Sequence, residues 1–61
     1  MSILELKKVR DSYLDKIRIA RKVMKKARDA YQIKLADDDI ASFQKKVDEL
    51  NAEIKEIRDA E

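Results

Sequence analysis

The sequence contains no cysteine, histidine, glycine or proline among its 61 residues. Without cysteine it cannot form a disulfide, and without cysteine and histidine it lacks the usual zinc ligands. Histidine is also the commonest general base, and phosphate-binding loops depend on glycine. These absences predict a protein that is not an enzyme and that has no metal site, no cofactor and no small-molecule substrate.

Long apolar runs are missing as well. No stretch approaches the roughly 18 consecutive apolar residues that a membrane span needs. The N-terminus lacks the apolar segment and the small-residue cleavage site of a secretory signal. We therefore expect no membrane span and a cytoplasmic location.

A chain of this length buries only about 60% of the surface that its unfolded form exposes. Small domains usually compensate with disulfides, a structural metal or oligomerisation, and the lack of cysteine and histidine removes disulfides and the usual zinc ligands. The sequence therefore predicts a homodimer.

Charged residues make up 46% of the chain and hydrophobic residues 44%. Helix-forming residues dominate, and the apolar ones recur regularly, which argues against disorder. Residues 1–35 hold eleven Lys or Arg against four Asp or Glu, whereas residues 36–61 hold four against nine. Because these halves are electrostatic complements, we expect them to lie side by side or to pair across subunits.

The N-terminus carries a helix-start signal. Ser2 and Glu5 fit a capping box, and Met1 and Leu6 occupy the two positions of a hydrophobic staple. The pattern predicts a helix from residue 2 and suggests a native N-terminus.

Apolar residues form two stripes at helical spacing. The first, widened by Val9, Val23 and Ala30, comprises Ile3, Leu6, Tyr13, Ile17, Ala20, Met24, Ala27 and Tyr31. The second is an unbroken heptad series of Ile33, Ala36, Ile40, Phe43, Val47, Leu50, Ile54 and Ile57.

The two stripes are out of phase by about 200°. Asp37, Asp38 and Asp39 lie between them, and aspartate favours helix N-termini. The pattern predicts an all-α, two-helix antiparallel hairpin, with a long helix at about 2–35, a turn at about 36–39 and a shorter helix at about 40–60. The alternative is one continuous helix, a rod of about 80 to 90 Å, because the connection has no Gly, Asn or Pro.

A turn at 36–39 would leave about twelve residues at the start of the first helix without a partner. This overhang is apolar, so we expect it to dock on a second copy or on a target protein. The candidate partner or dimer interface comprises Ile3, Leu4, Leu6, Val9, Tyr13, Ile17, Met24, Tyr31, Phe43, Leu50, Ile54 and Ile57.

Basic residues crowd the middle of the first helix. They are candidates for contact with an anion or nucleic acid, with an anionic membrane as a further alternative. They could equally be solvated, or pair with Asp48, Glu49, Glu53 and Glu56. The set comprises Lys16, Arg18, Arg21, Lys22, Lys25, Lys26 and Arg28.

In size and expected architecture the chain resembles the plasmid-encoded Rop-type hairpins, which dimerise into four-helix bundles and bind RNA with one face. The resemblance is one of architecture, and no site residue is carried over from it. The main functional prediction is a self-associating, antiparallel dimer that acts as a regulator, inhibitor or assembly factor of a larger protein, with a phage or a plasmid as the suggested source. Alternatives are a Rop-like nucleic-acid-binding dimer and a coiled-coil segment of a larger structural protein.

Overall fold

A computed structural model describes residues 2–60 of the chain. Within them the chain forms helix α1 (Ile3–Lys26) and helix α2 (Ala30–Ala60), which pack against each other. The molecule is 49 Å long, far short of the rod that a continuous helix would form. The all-α helical hairpin is therefore confirmed.

Helix α1 begins as its sequence predicts. Ser2 has an extended backbone, and its Oγ accepts a hydrogen bond from the Glu5 amide at 3.2 Å. The Ser2 carbonyl accepts from the Leu6 amide at 3.0 Å. The Ser2 half of the capping box is thus formed, whereas the staple predicted with Met1 lies outside the described residues.

The connection lies at residues 27–29, and the predicted turn at 36–39 is wrong. Ala27 leaves the helix in an extended conformation (φ −68°, ψ 138°). Asp29 Oδ1 then accepts from the Gln32 amide at 2.7 Å, and its carbonyl accepts from the Ile33 amide. This cap starts α2. No described residue has a positive φ, so the connection needs neither Gly nor Asn.

Moving the turn reverses the predicted helix lengths. α1 has 24 residues and α2 has 31, so the second helix is the longer one. The run from Asp37 to Asp39 lies inside α2, where all three side chains are exposed. Aspartate is tolerated there because an exposed helical position imposes little beyond a small loss of helix propensity.

The two helices meet along one narrow seam of alternating three- and four-residue spacing, the pattern of a coiled coil. Among residues 2–60, five side chains are buried, and all five lie on this seam: Leu6, Ile17, Ala36, Val47 and Ile54. Half-buried neighbours complete it, namely Ile3, Arg10, Tyr13, Ala20 and Met24 on α1, Ala27 at its C-terminal cap, and Ile40, Phe43, Leu50 and Ile57 on α2. The predicted second stripe is confirmed except for Ile33, which is exposed.

The predicted overhang is absent, because α2 is long enough to cover α1 from end to end. Leu6, near the start of α1, is 2% exposed. The ring of Phe43 lies 6.0 Å from that of Tyr13, whereas a turn at 36–39 would have placed Phe43 opposite Tyr31. Tyr31 is instead 72% exposed. The shift in the turn therefore changes the partner of every seam residue.

Replacing Asp29 with Ala tests the position of the turn. We expect a loss of about 1 kcal/mol in the free energy of unfolding, because the first amides of α2 lose their cap. Asp38→Ala is the matched control and should change stability by less than about 0.5 kcal/mol. Urea unfolding followed by circular dichroism measures both, and a larger loss from Asp38→Ala would return the turn to 36–39.

A second pair of variants tests the pairing of the open end. Ile54→Ala should lower the free energy of unfolding by about 2 to 4 kcal/mol, since this side chain is 6% exposed in the seam. Leu4→Ala should cost less than about 0.5 kcal/mol, because Leu4 is 64% exposed. Thermal melts at equal protein concentration compare them, and equal losses would argue against the observed register.

Candidate functional site

The candidate site is sought among the surfaces that residues 2–60 leave exposed. Across residues 2–60, no group of three or more acidic side chains is placed to hold a metal ion. In that same part of the chain, neither helix is long and apolar enough to cross a membrane.

Most residues of the predicted interface pack inside the hairpin, along the seam between α1 and α2. Leu6, Ile17 and Ile54 are buried within the hairpin, so they are not available to another chain. The half-buried members lie along the same seam: Ile3, Tyr13, Met24, Phe43, Leu50 and Ile57. Leu4, Val9 and Tyr31 are exposed. The structure therefore does not gather the predicted set into one docking surface.

An apolar groove instead runs along one side of the seam, near the turn. It has a volume of about 530 Å³, and its walls are exposed apolar side chains. Ile19 is 61% exposed, Val23 53% and Leu35 48%. We call it the turn-proximal groove, lined by Lys16, Ile19, Ala20, Val23, Gln32, Leu35, Ala36, Asp39 and Phe43.

The turn-proximal groove has a shallow floor and a charged edge on each helix. Ala20 and Ala36 lie at the bottom, and such small side chains let another backbone come close. Lys16 belongs to the α1 edge, with its Nζ 5.0 Å from the centre of the Tyr13 ring, within cation–π range. Asp39 belongs to the α2 edge. The groove thus has a positive side and a negative side.

A second cleft lies on the other side of the seam. Its lining includes four cations and no carboxylate of the described residues. Arg21 and Val23 are two residues apart, about 200° around the helix, so this cleft and the turn-proximal groove face away from each other. We call Arg18, Arg21, Lys22 and Lys25 the basic flank; Leu14, Ile17 and Gln44 complete the cleft.

The structure divides the predicted basic set. All seven residues are exposed, but four form the basic flank, Lys16 lies in the turn-proximal groove, and Lys26 and Arg28 line neither. Across residues 2–60, none of the ion pairs joins α1 to α2. The interpretation that these cations pair with acidic residues of α2 is therefore wrong for the hairpin itself. Arg18 has a neighbour on its own helix, Asp15, at 3.8 Å, and both are exposed.

Arg10 is a polar residue within the seam, in a place that the first predicted stripe skipped. Its Nη1 donates to Asn51 Oδ1 on α2 at 3.2 Å, and its Nε and Nη2 donate to Asp11 Oδ1. Its side chain is 27% exposed. A polar group in a coiled-coil seam fixes the register at some cost in stability, so we assign Arg10 to register rather than to binding.

The two apolar stripes of the sequence did not include three exposed apolar residues, Ile19, Leu35 and Leu14. All three lie beside the seam positions and not on them, so a search for one apolar stripe per helix passes over them. The sequence does mark such residues, because each is an apolar residue that lies beside the stripe of its own helix. Ile19, for example, is four residues before Val23 and lies next to it at the edge of the first stripe. Ile19 and Leu35 line the turn-proximal groove and Leu14 lines the second cleft, and assigning each residue to its surface requires the correct register.

Comparison of the chain with family models, with curated proteins and with solved structures finds no match.

Replacing Arg10 with Met tests its structural assignment. We expect the free energy of unfolding to rise by about 1 kcal/mol, because an apolar chain replaces a half-buried charge whose ionic partner Asp11 is exposed. Lys8→Met, on the exposed side of α1, is the control and should change little. Urea unfolding measures both; a clear loss in the Arg10 variant would mean that the bond to Asn51 outweighs apolar packing.

Proposed function

We propose that this protein is a non-catalytic interaction module that self-associates through the turn-proximal groove and, as a dimer, regulates, inhibits or assists the assembly of a larger protein. The observation that carries the proposal is the exposure of Ile19, Val23 and Leu35 around one groove of a hairpin whose seam is otherwise closed. Apolar residues clustered in this way favour contact with another chain.

A second copy is the occupant that best suits the hairpin itself. Within residues 2–60 five side chains are buried, a small core for a chain that has neither cysteine nor histidine. Domains of this size usually gain stability by oligomerisation when other reinforcements are missing. Closing the groove on a second copy extends the apolar core in both molecules at once.

A two-fold axis can bring the turn-proximal grooves of two copies face to face in two ways. The charges of the two helices favour one of them. α1 carries nine Lys or Arg against three Asp or Glu, and α2 carries five against eight. If the axis runs across the hairpin, perpendicular to the helices, α1 packs on α1 of the second copy and like charges face each other. An axis along the hairpin stacks α1 on α2, so the Lys16 edge meets the Asp39 edge. The proposed four-helix dimer therefore has its turns together, unlike the antiparallel dimer expected from sequence.

The contact is restricted to the half of the hairpin nearest the turn. Beyond Phe43, the same side of α2 presents Lys46, Glu49 and Glu53, which are exposed. A polar margin of this kind suits the rim of an interface and not its core. The open ends of the two hairpins are thus left available to a larger partner.

Ile19→Gln combined with Leu35→Gln tests self-association. Sedimentation equilibrium over a concentration series should show a dimer for the parent chain and a dissociation constant at least about tenfold higher for the variant, because four apolar side chains per dimer are lost from the contact. Circular dichroism at the highest concentration checks that the hairpin persists, since neither residue lies in the seam.

Leu4→Gln combined with Leu14→Gln is the matched control. It removes the same number of exposed leucine-sized side chains from places outside the turn-proximal groove. We expect the dissociation constant of this variant to equal that of the parent. Equal weakening by both pairs, or a parent chain that stays monomeric at every concentration, would contradict the proposed dimer.

A further inference from the structure

We propose that the basic flank binds the phosphate backbone of a nucleic acid duplex without reading its sequence. Arg18, Arg21, Lys22 and Lys25 line one cleft with Gln44, and no described carboxylate shares that lining. The four cations follow the i, i+3, i+4, i+7 spacing of a single helix face and span about 10.5 Å along α1. The surface is separate from the turn-proximal groove.

The cations of the basic flank are not used to hold the hairpin together. No ion pair in residues 2–60 crosses the seam, and the acidic residues of α2 leave this cleft free of carboxylates. The pair between Arg18 and Asp15 is long and exposed, and pairs of that kind contribute little. The positive charge is therefore directed to solvent, where a polyanion would neutralise it.

An anionic membrane suits this arrangement less well. Surface-bound helices place cations beside an apolar face that enters the lipid. Here the exposed apolar residues Ile19, Val23 and Leu35 lie across the seam from the cations, and the cleft offers only Leu14 as an exposed apolar contact. If the turn-proximal groove entered the lipid, the basic flank would point away from the anionic headgroups.

An acidic protein and a single strand also fit less well. Protein interfaces have an apolar core, which this flank lacks. Single strands are held largely by bases stacked on aromatic rings, but Tyr13 and Phe43 are packed together in the seam, and Tyr31 is outside the cleft. Backbone contact with a duplex needs cations alone.

Fluorescence anisotropy with a labelled 20-base-pair DNA duplex tests the proposal. If four cations neutralise one phosphate each, the logarithm of the association constant should fall with the logarithm of salt with a slope of about −3.6, which is a loss of about 150-fold between 50 and 200 mM. A duplex of unrelated sequence should bind equally. Absence of binding at 50 mM salt would overturn the proposal.

Arg21→Gln combined with Lys25→Gln should weaken binding at least about tenfold at 100 mM salt and reduce the slope by about 1.8. Lys45→Gln combined with Lys46→Gln removes the same charge from α2, outside the cleft, and should leave affinity within about twofold. Equal losses from both pairs would mean that net charge, and not the basic flank, is responsible. Circular dichroism confirms that each variant folds.

Competition separates the other polyanions. Polyglutamate and vesicles of phosphatidylcholine with phosphatidylserine are added to the duplex complex at matched charge concentration. We expect unlabelled duplex to displace the probe at the lowest concentration. If polyglutamate displaces the probe at a lower concentration than the duplex does, the partner is an acidic protein and the proposal is wrong. If the vesicles do so, the partner is a membrane surface and the proposal is also wrong.

Discussion

A hairpin of two helices has one interhelical seam, and that seam is the constraint on which the rest of this structure depends. Two facing stripes of a and d positions can bury side chains, while positions on either side of them stay in contact with water. The seam here takes Leu6, Ile17, Val47 and Ile54 to near-complete burial. Any apolar residue elsewhere on either helix must remain exposed unless a further chain covers it.

The connection between the helices decides which residues face each other across the seam. Asp29 caps α2, and Ala27 ends α1 without a left-handed residue. Beginning α2 at Ala30 makes it the longer helix, so it covers α1 completely and removes the overhang that a later turn would create. The same register brings Ile19 and Leu35 to one groove, although neither is part of a seam. The position of the turn thus determines which exposed side chains share a groove.

Much of the fold could be predicted from the sequence because it rests on local patterns. The heptad series from Ala36 to Ile57 identified the α2 side of the seam, and Ser2 identified the start of α1. The turn was missed for a physical reason: Tyr31 continues the spacing of the first stripe, and Asp37 to Asp39 form a more conspicuous acidic run than Asp29. The decisive signal was present, since Asp29 and Gln32 have the spacing of a capping box.

The surfaces were less predictable than the fold. Tyr31 was assigned to the interface from its spacing, but it lies in the first turn of α2, about 140° around that helix from the buried Ala36, so it faces away from the seam and is exposed. Ile19 was left out because it falls out of phase with its stripe. Whether such a residue is isolated or belongs to a groove depends on a partner about 16 residues away in sequence, Leu35, and that information lies in the register.

The separation of the two surfaces by the seam has a consequence for the dimer that we propose. Stacking α1 on α2 across the turn-proximal grooves hides those grooves from water, while the basic flank of each copy points outward, away from the contact. Self-association therefore does not compete with binding of a polyanion. It brings two sets of four cations into one particle, on opposite outer faces, and linked sites of this kind gain effective affinity when one polyanion can reach both. The proposed dimer contact is mainly apolar, with charged residues only at its edges, so its affinity would fall less at high salt than that of the flanks, whose contacts with a polyanion are purely electrostatic.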